Sequence, residues 1–173
     1  MSDELDIETF DVLDAVKNVT YPEDDCKLYM DQGAAARLIE AQSIINSTLD
    51  NDVAADLEKE AQKAYQELQA TSLTFHLRGL SRGLITAVNK RVEAKYDKED
   101  WERYTNAETV AQSIMYVKSG DGKVDKRNWT AEDVERLADK LTTAQWTKIL
   151  QKCSELTFSN IRDEDLRTDP DFS

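Results

Sequence analysis

The feature that most constrains this chain is a run of apolar residues at helical spacing that breaks once and resumes. Leu38, Ala41, Ile45 and Leu49 recur every three or four positions, and Val53, Leu57, Ala61, Ala64 and Leu68 continue the pattern. An α-helix turns once in 3.6 residues, so this spacing lines one face with apolar side chains. Between the two runs stands LDNDV (49–53), where Asp50 or Asn51 accepts hydrogen bonds from the free amides that open a helix. Two helices of similar length joined by a short polar turn fold back on each other. An antiparallel hairpin with both stripes inward is therefore expected from Ala34 to about Leu68.

Other segments extend a helical reading. SLTFHLRGLSRGLITAV (72–88) is the most apolar stretch. Its first half fits either a strand or a helix. Beyond Ser81 a helix to about Lys95 is expected, with Leu84, Val88 and Val92 on one stripe. Gly79 and Gly83 stand four apart and point to close helix packing, since the stretch is too polar for a membrane helix pair. CKLYMD (26–31) alternates polar and apolar residues and reads as one short strand, with Gly33 permitting the turn that follows. Thr105 with Glu108, Thr130 with Asp133 and Thr142 with Gln145 have capping-box spacing. Trp129 with Val134, and Leu141 with Trp146, stand at staple positions around the last two. Val134, Leu137, Ala138 and Leu141 form one stripe, and Trp146, Ile149, Leu150, Cys153 and Leu156 another. Residues 130–157 thus read as a second tight hairpin.

The expected fold is mainly α, with about five or six helices. Helical hairpins pack on a central apolar helix, with room for one short β-strand pair. Three regions follow: an acidic N-terminal arm (1–25), a helical domain (26–158) and an acidic C-terminal tail (159–173) that frays at RTDPDFS. The arm carries Leu5, Ile7, Phe10, Val12, Leu13 and Val16 in an acidic background and ends near Pro22. A chain of 173 residues is long enough to bury a real core.

Charge narrows the function classes. With 35 acidic residues against 22 basic, the net charge is −13. That field repels nucleic acid and anionic membranes, so neither is an expected partner. Residues 1–33 alone carry ten acids and two lysines, whereas 78–98 carries six basic residues and two acids. Acidic ends therefore flank a mildly basic middle. Cys26 and Cys153 form no CxxC pair, which argues against a disulfide framework or a zinc site and fits a reducing cytosol. The first 25 residues are acidic where a signal peptide needs a basic region and an apolar run. No segment is apolar over the length that spans a bilayer.

Candidate chemistry is scarce. YVKSGDGKVDKRNW (116–129) invites a ligand-loop reading. With Gly122 in the sixth position of a calcium loop, Val117 falls first and Asn128 twelfth, so the first ligand and the bidentate glutamate are missing. SGDGK lacks the spacing of a phosphate loop, and Asp121 repels an anion. The stretch reads as a solvated turn between helices, a flexible lead-in that lets the C-terminal hairpin fold back. His76 is the only histidine and reads as an amphipathic residue at a buried edge. Pairing with Cys26 or Cys153 is its one conceivable catalytic use. Acids are so frequent that no carboxylate pair stands out as acid and base. Trp101, Trp129 and Trp146 do not interleave with a basic cluster, so they read as packing residues. The expectation is a non-enzyme with no catalytic residues, no cofactor and no metal. An acidic helical chain with an apolar middle suits binding a partner's exposed apolar surface while keeping the complex dispersed.

The order of segments resembles the tail assembly chaperones of long-tailed, siphovirus-type bacteriophages, especially those infecting actinobacteria. CKLYMDQGAAARLIEAQ (26–42) is similar to that family's early strand, short turn and Ala-rich helix. LTFHLRGLSRGLITAV (73–88) resembles its apolar strand-to-helix segment. NAETVAQSIMYV (106–117), followed by WTAEDVERLADKLTTAQWTKILQKCSELT (129–157), looks like its ending. NKRVEAKYDKEDWERY (89–104) departs from the pattern, lacking a histidine–proline segment. The resemblance spans roughly 26–158. It implies a cytoplasmic, non-catalytic protein of the infected bacterial host that binds the tape measure protein and keeps it soluble while tail tube subunits polymerise. A longer form made by ribosomal frameshift is a further partner in such systems. The alternatives are a structural minor tail or connector protein of the virion, and an acidic binding adaptor or inhibitor.

Overall fold

The computed structural model describes residues 11–159. The fraying of 159–173 and the apolar positions Leu5, Ile7 and Phe10 of the arm therefore fall largely or wholly outside the described residues. In chain order the elements are α1 (Val12–Ala15), β1 (Glu23–Tyr29), α2 (Gln32–Ser47), α3 (Asn51–Ala70), β2 (Ser72–Arg78), α4 (Arg82–Lys95), α5 (Trp101–Ser113), β3 (Ile114–Ser119), β4 (Val124–Asp125), α6 (Ala131–Ala138) and α7 (Thr143–Phe158), with one 3₁₀ turn at Lys98–Asp100.

The mainly-α expectation is overturned. The four strands form one antiparallel sheet in the order β1-β2-β3-β4. Some 63% of the described residues are helical and 15% lie in strands, a mixed α/β composition. The central apolar element is strand β2, not a helix, and seven α-helices replace the expected five or six among the described residues. Leu73, Phe75 and Leu77 alternate along β2, and alternation sends every second side chain to one face. That face meets Cys26 and Leu28 of β1 and Val117 and Ile114 of β3, and the helices α5, α6 and α7 close over it. β3 escapes a sequence reading because IMYV follows helix α5 without a glycine or proline between them. His76 pairs with Tyr116 and Leu77 with Ile114, so Met115 is the extra residue of a β-bulge.

Local signals decide the helices well. Ser81 caps α4 through its side chain, and Val88 and Val92 of the expected stripe are buried. Asp50 caps α3, accepting from the amides of Asp52 and Val53. Both late capping boxes form: the Asp133 amide donates to Thr130 Oγ1 at 3.2 Å, and the Gln145 amide to Thr142 Oγ1 at 3.2 Å, with the reciprocal bonds also made. The Thr105 cap does not exist, because α5 starts at Trp101 and places Thr105 in its interior. The second tight hairpin is corrected too. α6 packs on α5, and α7 packs on α5, β1 and β2, rather than on each other.

The glycine-rich stretch turns between strands, not between helices. Ser119 and Lys123 close the β3–β4 turn, with the Ser119 amide 2.8 Å from the Lys123 carbonyl and Gly122 at φ +89°. Of the glycine pair, Gly79 packs closely: a Cβ there would lie 2.3 Å from the Leu156 carbonyl oxygen of α7. A Cβ at Gly83 would meet only the Ser81 hydroxyl, at an ordinary 3.8 Å.

Candidate functional site

The α2–α3 hairpin leaves the sheet where β1 ends and returns where β2 begins, since Tyr29 and Ser72 are register partners. Its helices pack chiefly on each other. Ala41, Ala64 and Leu68 of the expected stripes are buried and Leu38, Ile45, Leu57 and Ala61 half-buried, but the stripes end before the turn. Leu49 is fully exposed and Val53 is 44% exposed.

One side of the hairpin stays open as a groove of about 550 Å³. Arg37, Glu40, Ala41 and Ile44 of α2 line it at spacings of three, one and three; Leu57, Glu60, Ala64 and Glu67 of α3 line the other wall. Alanines form its floor, Ile44 and Leu57 its apolar walls, and charges its rim. Arg37 is tied to Glu67 across the groove at 2.5 Å. Among the described residues beyond the arm, eight large apolar side chains are exposed, and five (Ile39, Ile44, Leu49, Val53 and Tyr65) lie on this hairpin. Such concentration marks a contact surface rather than scattered surface residues.

The sheet face away from the core carries Asp25, Lys27, Thr74, His76, Tyr116 and Lys118, all half-exposed or exposed. His76 sits at its centre on interior strand β2, not at an edge. Its Nδ1 lies 2.7 Å from Asp25 Oδ1 and its Nε2 2.9 Å from Glu23 Oε2. Its ring stacks on Tyr116 with centroids 4.7 Å apart. Two carboxylate acceptors favour the form in which both nitrogens donate, so Asp25, then Glu23, raise the imidazole pKa above its ordinary 6.5. With both N–H groups engaged, His76 serves as a cross-strand clasp rather than a base.

This clasp has a pH signature. A histidine with a raised folded-state pKa adds stability that is full below its unfolded pKa and is lost as pH rises through the folded one. The urea midpoint of the native chain is expected to fall as pH climbs from about 6.5 through the raised pKa. His76→Gln is expected to flatten that part of the profile. Parallel profiles for the two proteins would refute the clasp.

The other candidates separate. Cys26 faces the core while its neighbour Asp25 meets His76 on the opposite face, so no Cys26–His76 pair forms. Cys153 is also in the core, and burial pushes its thiol up to about 11, which keeps it protonated at neutral pH. Trp129 and Trp146 pack against the core, and Trp101 donates from Nε1 to the Tyr96 carbonyl at 2.9 Å. The basic stretch 78–98 is partly neutralised by ion pairs within the chain: Arg91 pairs with Glu108 at 2.8 Å and Lys95 with Glu132 at 2.9 Å. Among the described residues no group of three or more His, Cys, Asp or Glu side chains is placed to hold a metal ion, and no helix is long and apolar enough to cross a membrane.

The free edge of β1 is guarded. Lys148 Nζ donates to the Lys27 carbonyl at 2.7 Å and Gln145 Nε2 to the Tyr29 carbonyl at 2.8 Å. These α7 side chains occupy acceptors that an added strand would need.

Comparison with family models, with curated proteins and with solved structures gives no match. The helix spacing contained the signal for the groove: positions 37, 41 and 44, and 57, 60, 64 and 67, repeat at helical intervals. The stripes of hairpin closure include Ala41, Leu57 and Ala64 but not Ile44, which falls one position beside Ile45 and faces the groove.

Proposed function

We propose that this chain is a non-catalytic assembly chaperone of the phage tail type, which binds the tape measure protein in the cytoplasm of an infected bacterium and keeps it soluble. The observation that carries the reading is the α2–α3 hairpin, which holds an open groove with apolar walls and a charged rim and, among the described residues outside the arm, most of the exposed large apolar side chains. A net charge of −13 adds to it, since a strongly charged carrier keeps an apolar client dispersed. The strand, Ala-rich helix and apolar strand-to-helix segment that carry the family resemblance are β1, α2 and β2–α4. Co-expression with a phage tape measure protein tests the reading. The client is expected in the soluble fraction, co-purifying with this chain. A client that stays equally soluble without the chain, or the chain found abundantly in purified particles, would overturn it in favour of a structural tail protein.

A further inference from the structure

We infer that the α2–α3 groove takes one amphipathic helix with basic flanks, supplied by a different protein, and thereby completes a three-helix bundle. The inference deepens the chaperone reading by naming what its contact surface accepts.

Three features point to a helix. The lining residues repeat at helical spacing on both walls, so the groove runs along the hairpin. Its floor is Ala41 and Ala64, small enough to let a third helix approach closely, while Ile44 and Leu57 stand up to interleave with its side chains. Ile44 is 40% exposed, an apolar wall that nothing in the described chain covers.

Charge selects the occupant. Residues 32–70 carry seven acids (Glu40, Asp50, Asp52, Asp56, Glu58, Glu60 and Glu67) and three bases (Arg37, Lys59 and Lys63). At the rim, Arg37 is neutralised by Glu67, which leaves Glu40 and Glu60 against Lys63. A second copy of the hairpin would bring two acidic surfaces face to face, and like charges across an interface disfavour that pairing. A helix with Lys or Arg beside its apolar stripe meets Glu40 and Glu60 with the opposite sign.

The test uses the full chain and two synthetic peptides of about 20 residues, roughly 30 Å long as helices. Both carry leucine at every third and fourth position; one has lysine on its flanks and the other glutamate. The lysine peptide is expected to bind at least tenfold more tightly by fluorescence anisotropy, with the gap narrowing as salt is raised. Ile44→Asp is expected to weaken it by roughly tenfold, and Glu40→Lys with Glu60→Lys to reverse the preference. These positions are surface-exposed, and unchanged circular dichroism would show that the variants fold. Equal binding of both peptides, or no effect of Ile44→Asp, would overturn the inference, as would concentration-dependent dimerisation through the hairpin. If the client co-purifies with Ile44→Asp as well as with the native chain, the groove assignment falls and the chaperone reading stands. If the lysine peptide binds but no client does, the reverse holds.

Discussion

Phe75→Ala is expected to lower the unfolding free energy by about 4 kcal/mol, read as a shift of the urea midpoint at unchanged slope. Phe75 is fully buried on the interior strand of the sheet, with Cys26 beside it on β1 and Val117 on β3. Its ring also meets Trp129 at 6.4 Å between centroids, which joins the sheet to the segment entering α6. Truncation removes the transfer energy of the ring and leaves a cavity that three strands and the covering helices cannot collapse. A domain of this size is stable by only about 5–15 kcal/mol, so the loss takes a large share of the margin. Phe75→Leu should cost no more than about 1.5 kcal/mol, because it keeps most of the volume. A loss under 1 kcal/mol for the alanine variant would mean that the core is not centred on this sheet.

The second large effect is at Gly120. A Cβ added there would lie 1.9 Å from the Gln69 carbonyl oxygen and 2.9 Å from that of Ala70. Both atoms are backbone at the end of α3, and the Gly120 amide already holds the Ser72 carbonyl at 2.9 Å. Neither side can retreat without breaking the junction between the hairpin and β2. Gly120→Ala is expected to cost about 3 kcal/mol or more, because overpacking against rigid backbone exceeds an ordinary core strain. Gly83→Ala, on a helix where a Cβ meets only the Ser81 hydroxyl at 3.8 Å, is expected to be neutral or stabilising by up to about 1 kcal/mol. Equal effects at the two glycines in thermal melts would contradict this contact. The stretch that reads in sequence as a flexible lead-in is therefore a fixed strap, pinning β3–β4 onto the end of α3.

Legibility followed the range of the interactions. Ser81, Asp50, Thr130 and Thr142 are caps whose partners lie two or three residues away, and these helix starts could be read directly. Thr105 shows the limit of that reading: its spacing to Glu108 matches a capping box, yet nothing local reveals that the helix is already four residues old. Strands β3 and β4 were not legible at all. IMYV is as compatible with a helix continuing α5 as with a strand, and only the free edge of β2 decides between them. Of the sites, the clasp was half visible. His76 is alone in the sequence, but its two carboxylates come from residues 51 and 53 positions away. Their identity as partners depends on the β1–β2 register, and an acidic chain offers too many equivalents for sequence to choose.

The sequence by itself determined the hairpin of α2 and α3, the starts of α4, α6 and α7, and the acidic character of the surface. Periodicity, capping and net charge are properties of neighbouring residues or of simple sums, and they survive without knowledge of the fold. The tertiary structure alone decided that the apolar centre is a strand, that α6 and α7 each pack on α5 instead of closing as a hairpin, and that no described residue covers one side of α2–α3. Each of these rests on pairing between distant segments. There the gain from burying apolar surface is shared among many alternative partners, and only the assembled core selects one.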